Sequence, residues 1–276
     1  MSCRITILCD NSVGPITGTL GEHGFSALVE REGTSLLFDT GSGETLLHNA
    51  LRMNRDLRKV AMVALSHGHY DHTGGLRPFL QLCGGRRILA HPAVFSARYR
   101  KRDTGAAVSI GIPFAEDFLR GLGADFELSA DPRELVPGLF LSGEVPLRTE
   151  FETGDSGLYA DSEGSQRDLL RDDQSLVIVG DKGLVLLLGC CHAGLINTIE
   201  AACEITGVRS VDAVIGGTHL GFCGTAQLDA TVEAIRSYGV KRIYGSHCTG
   251  FAAAARLHGE FPGRFQQAMV GTSLEV

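Results

Sequence analysis

Short apolar runs recur along the chain, and polar or glycine-rich turns separate them. Runs of this kind, bounded by turn formers, predict buried β-strands. The strands predicted in this way span residues 4–9, 22–30, 35–41, 59–65, 86–90, 172–180, 184–188, 211–215 and 241–244. The pair 22–30 and 35–41 flanks a turn at Arg31-Glu32-Gly33, and the pair 172–180 and 184–188 flanks Asp181-Lys182-Gly183. Each pair therefore predicts an antiparallel hairpin.

Three stretches predict helices between these strands. They span residues 43–53, 195–206 and 225–238. Residues 96–171 are rich in glycine and lack strong periodicity, so they are predicted to make excursions over a sheet rather than a second domain. No change in composition marks a linker, and residues 1–276 are predicted to form a single domain.

The stretch that follows strand 59–65 concentrates side chains that bind metals. Four of them fall within six positions, at His67, His69, Asp71 and His72. In extended backbone alternate side chains share a face, so His67, His69 and Asp71 are expected to project together while His72 points elsewhere. One stretch can then supply ligands to two ions. Imidazole and carboxylate ligands suit zinc, and manganese or iron are the alternatives.

Three more histidines follow the same pattern, in which an apolar strand ends in a small residue and then a histidine. They are His192, His219 and His247. Four such units predict that one edge of a sheet collects the functional side chains. The first turn of helix 195–206 is expected to point backbone N–H groups toward the same edge, which favours an anionic ligand.

Other polar residues near these strand ends are candidates for supporting roles. Asp39 ends a strand, where it either accepts a hydrogen bond from a ligating imidazole or caps the following helix. If the second hairpin folds about Lys182, Asp173 lies opposite Cys190 or Cys191, with His192 just beyond. Asp173 is then either a metal ligand or the acceptor that orients one, and Cys190 is a further candidate ligand.

The histidines outside the pattern divide between substrate and structure. His23 lies in a loop that can overhang the sheet edge, so it either contacts substrate or is solvated. His48 lies in an amphipathic stretch and is expected at the surface, and His91 is expected to be a loop residue.

Composition narrows the class of function. The net charge is −7 and no block of basic residues is present, so a nucleic-acid partner is not expected and a small polar or anionic substrate is. No signal peptide is evident, and the longest apolar run, residues 184–188, falls far short of a membrane span. Eight cysteines without framework spacing predict free thiols in a reducing compartment. A cytoplasmic protein without a membrane partner is expected.

The ligand-rich stretch resembles a known motif. His67-Gly68-His69-Tyr70-Asp71-His72, followed by Thr73-Gly74-Gly75, resembles the His-x-His-x-Asp-His motif of the metallo-β-lactamase-fold superfamily. The resemblance implies an α/β (α+β) fold, a four-layer αββα sandwich with a two-metal site at one sheet edge. The predicted alternation of strand pairs with helices agrees.

The resemblance also implies a division of the ligands. His67, His69 and one downstream histidine would hold one ion, while Asp71, His72 and the last histidine would hold the other; His192 and His247 are the downstream candidates. His219 has no place in that ligand set. It is expected either to bind or protonate substrate or to be buried against a backbone carbonyl.

Further motifs resemble one subfamily across nearly the whole chain, among them Gly189-Cys190-Cys191-His192, Gly217-Thr218-His219-Leu220 and His247-Cys248-Thr249-Gly250. Its members are labelled 7,8-dihydropterin-6-methyl-4-(β-D-ribofuranosyl)aminobenzene-5′-phosphate synthase, a methanopterin-pathway transferase. Three functions follow as hypotheses. The first is a metal-dependent hydrolase of a small phosphorylated or pterin-like substrate, in which Asp71 ligates and orients a metal-bound water. The second is a pterin-diphosphate transferase, and the third is a non-catalytic metal or pterin binding protein.

Overall fold

The computed structural model describes residues 2–102 and 105–276. The strands in this part of the chain are β1 (Cys3–Cys9), β2 (Ser26–Arg31), β3 (Thr34–Phe38), β4 (Met62–Ala64), β5 (Arg86–Ala90), β6 (Tyr99–Lys101), β7 (Ala107–Ser109), β8 (Ala124–Leu128), β9 (Arg133–Val136), β10 (Leu139–Leu141), β11 (Leu158–Tyr159), β12 (Leu176–Gly180), β13 (Gly183–Leu188), β14 (Val211–Gly217), β15 (Arg242–Ser246), β16 (Phe265–Gln267) and β17 (Ser273–Glu275). The helices are α1 (Leu46–Arg52), α2 (Tyr70–Thr73), α3 (Leu76–Cys83), α4 (Glu116–Gly121), α5 (Leu195–Thr206), α6 (Thr225–Ser237) and α7 (Phe251–Glu260).

The strands form two large sheets and one small sheet. The first large sheet has the strand order β17-β1-β2-β3-β4-β5-β8, and the second has β16-β15-β14-β13-β12-β10-β9. Both predicted hairpins are present, because β2 pairs antiparallel with β3 and β12 pairs antiparallel with β13. In the second hairpin Leu176 lies opposite Leu187, and Gly180 lies opposite Gly183. The turn therefore falls at Asp181 and Lys182, as the sequence predicts.

The two large sheets face each other, and helices cover their outer faces. Along β13, Val185 and Leu187 point into the core between the sheets, whereas Leu184, Leu186 and Leu188 pack toward the outer helices. This alternation follows from the period of two in a strand, and a strand buried on both faces is apolar throughout. Helices α5, α6 and α7 cover the second sheet, and α1, α3 and α4 cover the first. The predicted four-layer αββα sandwich of the metallo-β-lactamase fold is confirmed.

Parallel pairing explains why functional side chains meet at one edge. Strands β3, β4 and β5 are parallel neighbours in the first sheet, and β13, β14 and β15 are parallel neighbours in the second. The segments that follow their carboxyl ends therefore leave each sheet at the same edge. Asp39 follows β3, and the four histidines of the strand-end pattern follow β4, β13, β14 and β15.

The prediction for residues 96–171 is partly wrong. Strand β8 extends the first sheet beside β5, and β10 extends the second sheet beside β12, so this region adds to both sheets rather than only crossing over them. These strands are three to five residues long, too short to show a period in the sequence. The predicted excursion is present in part as the small sheet, whose strand order is β11-β6-β7.

The small sheet lies over the edge of the sandwich that carries the histidines. The backbone N–H of Tyr70 donates to the carbonyl of Ile110 at 2.9 Å, and His69 forms a bridge with Gly111. Within residues 2–102 and 105–276, no helix combines the length and the apolar character that crossing a membrane requires.

Candidate metal centre

Three imidazoles converge at the centre of the sheet edge. Nε2 of His67 lies 2.9 Å from Nδ1 of His69 and 3.3 Å from Nε2 of His192. All three come from segments that follow parallel strands, β4 in one sheet and β13 in the other. We call these residues the histidine triad. Their ligand atoms all lie within 4.8 Å of one another, as the ligands of a single ion would.

The protonation of the histidine triad fits a cation. Burial lowers the pKa of each imidazole well below its ordinary value, and the charges of neighbouring imidazoles add to the effect. Neutral imidazole is the form that binds metal. Three buried nitrogens that face one another without an anion between them are costly to hold together unless a cation is ligated. The donor set therefore fits a metal ion.

A second group forms around the carboxylate of Asp71. Its Oδ2 lies 3.4 Å from Nε2 of His247 and 3.8 Å from Nε2 of His72. We call Asp71, His72 and His247 the carboxylate group. Burial raises the pKa of Asp71, but the imidazoles of His72, His23 and His247 outweigh burial and hold that pKa well below its ordinary value. The carboxylate is therefore ionised, and Asp71 forms with His23 and His247 one of the compact groups that could hold a cation.

The extended-backbone prediction for this stretch is wrong beyond His69. Helix α2 begins at Tyr70, so Asp71 turns away from the face that His67 and His69 share. Asp71 then lies beside His247 rather than within the histidine triad. A helical turn has a period of 3.6 residues, and four residues are too few to reveal it in the sequence.

Cys190 lies between the two groups. Its Sγ is 3.1 Å from Nε2 of His72. Cys190 also belongs to three ligand triplets, by which we mean three side chains whose ligand atoms all lie within 4.8 Å of one another. Its partners in these triplets are His67 and His72, His192 and His219, and His247 and Cys248. Burial raises the pKa of the Cys190 thiol well above its ordinary value, so a bound cation would have to displace its proton.

Asp173 supports the backbone beside His192 rather than the imidazole. The paired register of the hairpin ends at Leu176 opposite Leu187, and Asp173, three residues earlier, reaches the segment that follows β13. Its Oδ2 accepts a hydrogen bond from the backbone N–H of Ala193 at 2.9 Å. The side chain is buried, and burial raises the pKa of Asp173 to about 7. Asp173 thus fixes the loop that carries His192, and among the described residues it joins none of the ligand triplets.

Asp39 orients the imidazole of His72. Its Oδ2 lies 2.7 Å from Nδ1 of His72 and accepts from the hydroxyl of Ser66 at 2.7 Å, while Oδ1 accepts from the Ser66 backbone N–H. Gly189 packs against this arrangement so closely that a Cβ there would lie 2.2 Å from Oγ of Ser66. Of the two predicted roles, the structure supports the orientation of an imidazole.

Two further polar residues, which the sequence did not single out, position His247. The Asp10 carboxylate accepts from the His247 backbone N–H at 2.9 Å, and Oδ1 of Asn11 lies 2.8 Å from Nδ1 of His247. Asn11 also reaches His23, whose Nε2 lies 3.2 Å from Oδ2 of Asp71. The side chain of His23 is 56% exposed and lines the cavity beside Asp71, so both predicted alternatives, substrate contact and solvation, remain predictions. The turn-forming residues directly after β1 were the only signal for Asp10 and Asn11.

His219 faces the same site but contacts an acidic residue instead of a backbone carbonyl. Its ring lies 4.1 Å from the ring of His192, and Nε2 is 3.5 Å from Oδ2 of Asp155. Burial lowers the pKa of His219, but Asp155 and Cys248 outweigh burial and raise the pKa to about 9. The alternative of a histidine satisfied by a backbone carbonyl finds no support among the described contacts.

The N-terminus of α5 binds a carboxylate from the same chain. Glu152 accepts hydrogen bonds from the backbone N–H groups of Ile196 and Asn197 at 2.9 Å each. This terminus therefore binds an anion, as predicted, but the anion is an internal carboxylate rather than a ligand.

Two histidines lie where the sequence predicts them. His48 is exposed and bonds to Gly18, and His91 lies in a loop.

The fold and the site together define the class of protein. Residues 20–156 match the model of the metallo-beta-lactamase superfamily. The four-layer sandwich and the strand-end histidines agree with this match, as does the 33% identity to a relative over 97% of this chain. The chain belongs to the metallo-β-lactamase superfamily.

Individual relatives extend over nearly the whole chain. The chain is 33% identical to the 7,8-dihydropterin-6-methyl-4-(beta-D-ribofuranosyl)-aminobenzene-5′-phosphate synthase of Methanocaldococcus jannaschii, with 97% of this chain and 95% of the relative covered. It is 31% identical to an uncharacterized protein of the same organism over 92% of this chain and 93% of the relative. The crystal structure of Tm1679, described as a metal-dependent hydrolase of the beta-lactamase superfamily, matches with a TM-score of 0.85 and 30% identity, covering 99% of both chains.

Proposed function

We propose that this protein is a metal-dependent hydrolase that acts on a small, phosphorylated or pterin-like substrate. The observation that carries the proposal is the packing of six ligand side chains at one sheet edge, beside an open cavity of about 140 Å³. His69, Asp71, His192 and His247 line that cavity together with His23 and His219. Perturbed titratable groups that line a cleft are typical of a catalytic site.

The ligands divide between two ions in this proposal. The histidine triad would hold one ion and the carboxylate group would hold the other, with zinc as the first candidate and manganese or iron as alternatives. When bound, such ions polarise the scissile group and lower the pKa of water. Cys190, which lies between the two groups, is a further ligand candidate.

Three side chains act on the substrate in this proposal. The ionised carboxylate of Asp71 accepts a hydrogen bond from the attacking water and so orients it. His219 binds the substrate or protonates the leaving group, because its raised pKa keeps a proton on the ring at neutral pH. His23, exposed at the entrance and bonded to Asp71, contacts the substrate as it enters.

The two candidate reactions place different demands on the site. A hydrolase needs room for one substrate and a water, whereas a transferase has to hold two substrates at once. The free thiols of the eight cysteines agree with a proposed cytoplasmic location.

A transfer reaction is the second candidate because of the 33% identity to the M. jannaschii synthase. In that reaction the site would neutralise a diphosphate leaving group on a pterin, and an aryl group would attack in place of water. The same metal ligands serve both reactions, so the two candidates differ in the acceptor rather than in the metal centre.

One experiment separates these candidates. The protein is purified without added metal, its metal content is measured, and turnover is followed with a panel of phosphate esters and with a pterin diphosphate plus an arylamine. Hydrolysis that is lost in His67→Ala and retained in His48→Ala, a matched change at an exposed histidine, supports the proposal. Condensation without hydrolysis would replace it with the transferase. Metal-dependent ligand binding without any turnover would leave a binding protein.

A further inference from the structure

The small sheet carries a basic side chain into the cavity beside the metal centre. In this sheet Arg100 of β6 lies opposite Leu158 of β11 and Val108 of β7. Arg100 and Leu158 both line the cavity, together with Ile110. Among the described residues that line it, Arg100 is the only lysine or arginine. The small sheet therefore adds one permanent positive charge to a cavity whose other ionisable groups are histidines, cysteines, a tyrosine and an aspartate.

The guanidinium of Arg100 is held in a defined position. Its Nη1 donates to Oδ2 of Asp155 at 2.8 Å, and its central carbon lies 4.8 Å from the centre of the Phe222 ring. The Phe222 ring in turn stacks on His219, with 4.8 Å between ring centres. Contact with an aromatic ring and a carboxylate fixes the plane of a guanidinium, which reduces the entropy lost when a ligand binds.

One carboxylate oxygen lies between Arg100 and His219, at a position that favours negative charge. Oδ2 of Asp155 lies 2.8 Å from Nη1 of Arg100 and 3.5 Å from Nε2 of His219. An oxygen that bears negative charge is thus held between a guanidinium and an imidazole at the wall of the cavity. Arg100 lines the cavity, and its side chain is 40% exposed while it bonds to Asp155.

The segment that leads into β6 is connected by ion pairs and a hydrogen bond to the loop that carries His67 and His69. Arg98, two residues before Arg100, is only 2% exposed, and its guanidinium pairs with Asp168 at 2.7 Å and with Asp172 at 2.6 Å. The other oxygen of Asp172 accepts from the backbone N–H of Gly68, which lies between two metal ligands. The start of β6 is therefore anchored through Asp172 to the backbone between His67 and His69.

We propose that Arg100 is a specificity-determining residue that binds a second phosphate group of the substrate, while the reacting phosphate lies at the metal centre. This inference rests on the proposed function and names its substrate class, a small bisphosphorylated compound. Arginine suits this role because its planar fork donates two parallel hydrogen bonds to phosphate oxygens.

The test compares ligands that differ only in the distal phosphate. Binding of propyl phosphate and of propane-1,3-diyl bisphosphate is measured by calorimetry on the protein as isolated, with its metal content determined. Hydrolysis is measured with the corresponding 4-nitrophenyl phosphodiesters. The variants are Arg100→Gln and Arg100→Lys. The matched control is Lys101→Gln, which removes a positive charge from the same strand; the Lys101 side chain lies instead near the Tyr159 ring, at 5.9 Å.

The wild type is expected to bind the bisphosphate about 10- to 100-fold more tightly than the monophosphate, as for hydrogen bonds to a charged group. Arg100→Gln removes this preference, Arg100→Lys keeps part of it, and Lys101→Gln keeps all of it. The inference is overturned if the wild type shows no preference, or if both glutamine variants reduce it equally. If no ester is hydrolysed but the binding preference still depends on Arg100, the hydrolase proposal fails and the phosphate site stands.

Discussion

The carboxylate of Asp39 lies 2.7 Å from Nδ1 of His72, and this contact leaves Nε2 of the same ring facing Asp71 and Cys190. Asp39→Asn should weaken metal binding about 10- to 100-fold, the usual cost of removing a partner that orients a ligand. Asparagine tolerates the positive φ of 58° at this position, so backbone strain is not introduced. Affinity is measured by competition with a chelator. The control is Asp229→Asn, a change at an exposed side chain of α6, and equal affinities in both variants would contradict the assignment.

His219→Ala separates a substrate role from a metal ligand. The ring lies against His192 and beside Asp155, so its loss should leave the metal bound and reduce turnover by roughly a hundredfold, the scale of a general acid or base. Metal content and turnover are measured on the same preparation. Loss of metal would instead make His219 a ligand with Cys190 and His192. Unchanged turnover would leave it a structural role.

The two adjacent cysteines offer a matched pair for testing a thiolate ligand. Sγ of Cys190 lies among the imidazoles, whereas Cys191 packs in the outer core and lies 3.3 Å from the hydroxyl of Thr198. In cobalt-substituted protein, a thiolate ligand gives a sulfur-to-cobalt charge-transfer absorption band. We expect this band in the wild type and in Cys191→Ser but not in Cys190→Ser. An absorption band that remains in Cys190→Ser would indicate that the thiolate ligand is Cys248, which shares a ligand group with Cys190 and His247.

Glu152→Ala should destabilise the fold by about 1–3 kcal/mol, because the buried N–H groups of Ile196 and Asn197 lose their acceptor. The free energy of unfolding is measured in urea, with the exposed Glu150→Ala as the control, which should change it by less than about 0.5 kcal/mol. A similar small change in both variants would show that water replaces the Glu152 carboxylate.

The pH dependence of the Glu152 effect has a definite sign. Burial raises the pKa of Glu152 above its ordinary value of 4.5, despite its hydrogen bonds. A group whose pKa is raised by folding contributes most stability below its unfolded pKa, and this contribution falls as pH rises through the folded pKa. The difference in unfolding free energy between wild type and Glu152→Ala should therefore be larger below pH 4.5 than at neutral pH. Urea titrations across this range measure it, and a difference that grows with pH would contradict the burial argument.

The helices and strands that the sequence predicted correctly are those whose position depends on their own residues. Helix α5 spans Leu195–Thr206 and strand β5 spans Arg86–Ala90, as predicted, because each is long or apolar enough to show its pattern. Strand β4 is shorter than predicted, since Leu57–Lys59 form a turn of 3₁₀-helix just before it. The small sheet was not predicted, because its strands of two or three residues depend on pairing with distant segments.

The residues of the candidate site also fall into those that the sequence could predict and those that it could not. The strand-end histidines could be found because each follows its own strand, and parallel pairing then brings them together. Asp155 and Arg100 could not be found, since each is placed by a partner far away in the chain, as in the contact of Asp155 with His219. Asp71 was assigned to the wrong face because the helical turn that carries it has only four residues, too few to show a period in the sequence.

The ion pairs of Arg98 allow one part of the chain to change while another stays constant. Asp172 holds both this arginine and the backbone of Gly68, so the ligand loop and the base of the small sheet are fixed by one carboxylate. The residues beyond this anchor carry Arg100 and the rest of the cavity wall. If Arg100 selects the substrate as proposed, substitutions on β6 and β11 are expected to change which molecule is accepted, while Arg98 and Asp172 keep the backbone of Gly68 in place. Evolution of a new substrate preference is therefore expected to begin on these two strands, with Arg98 and Asp172 retained together.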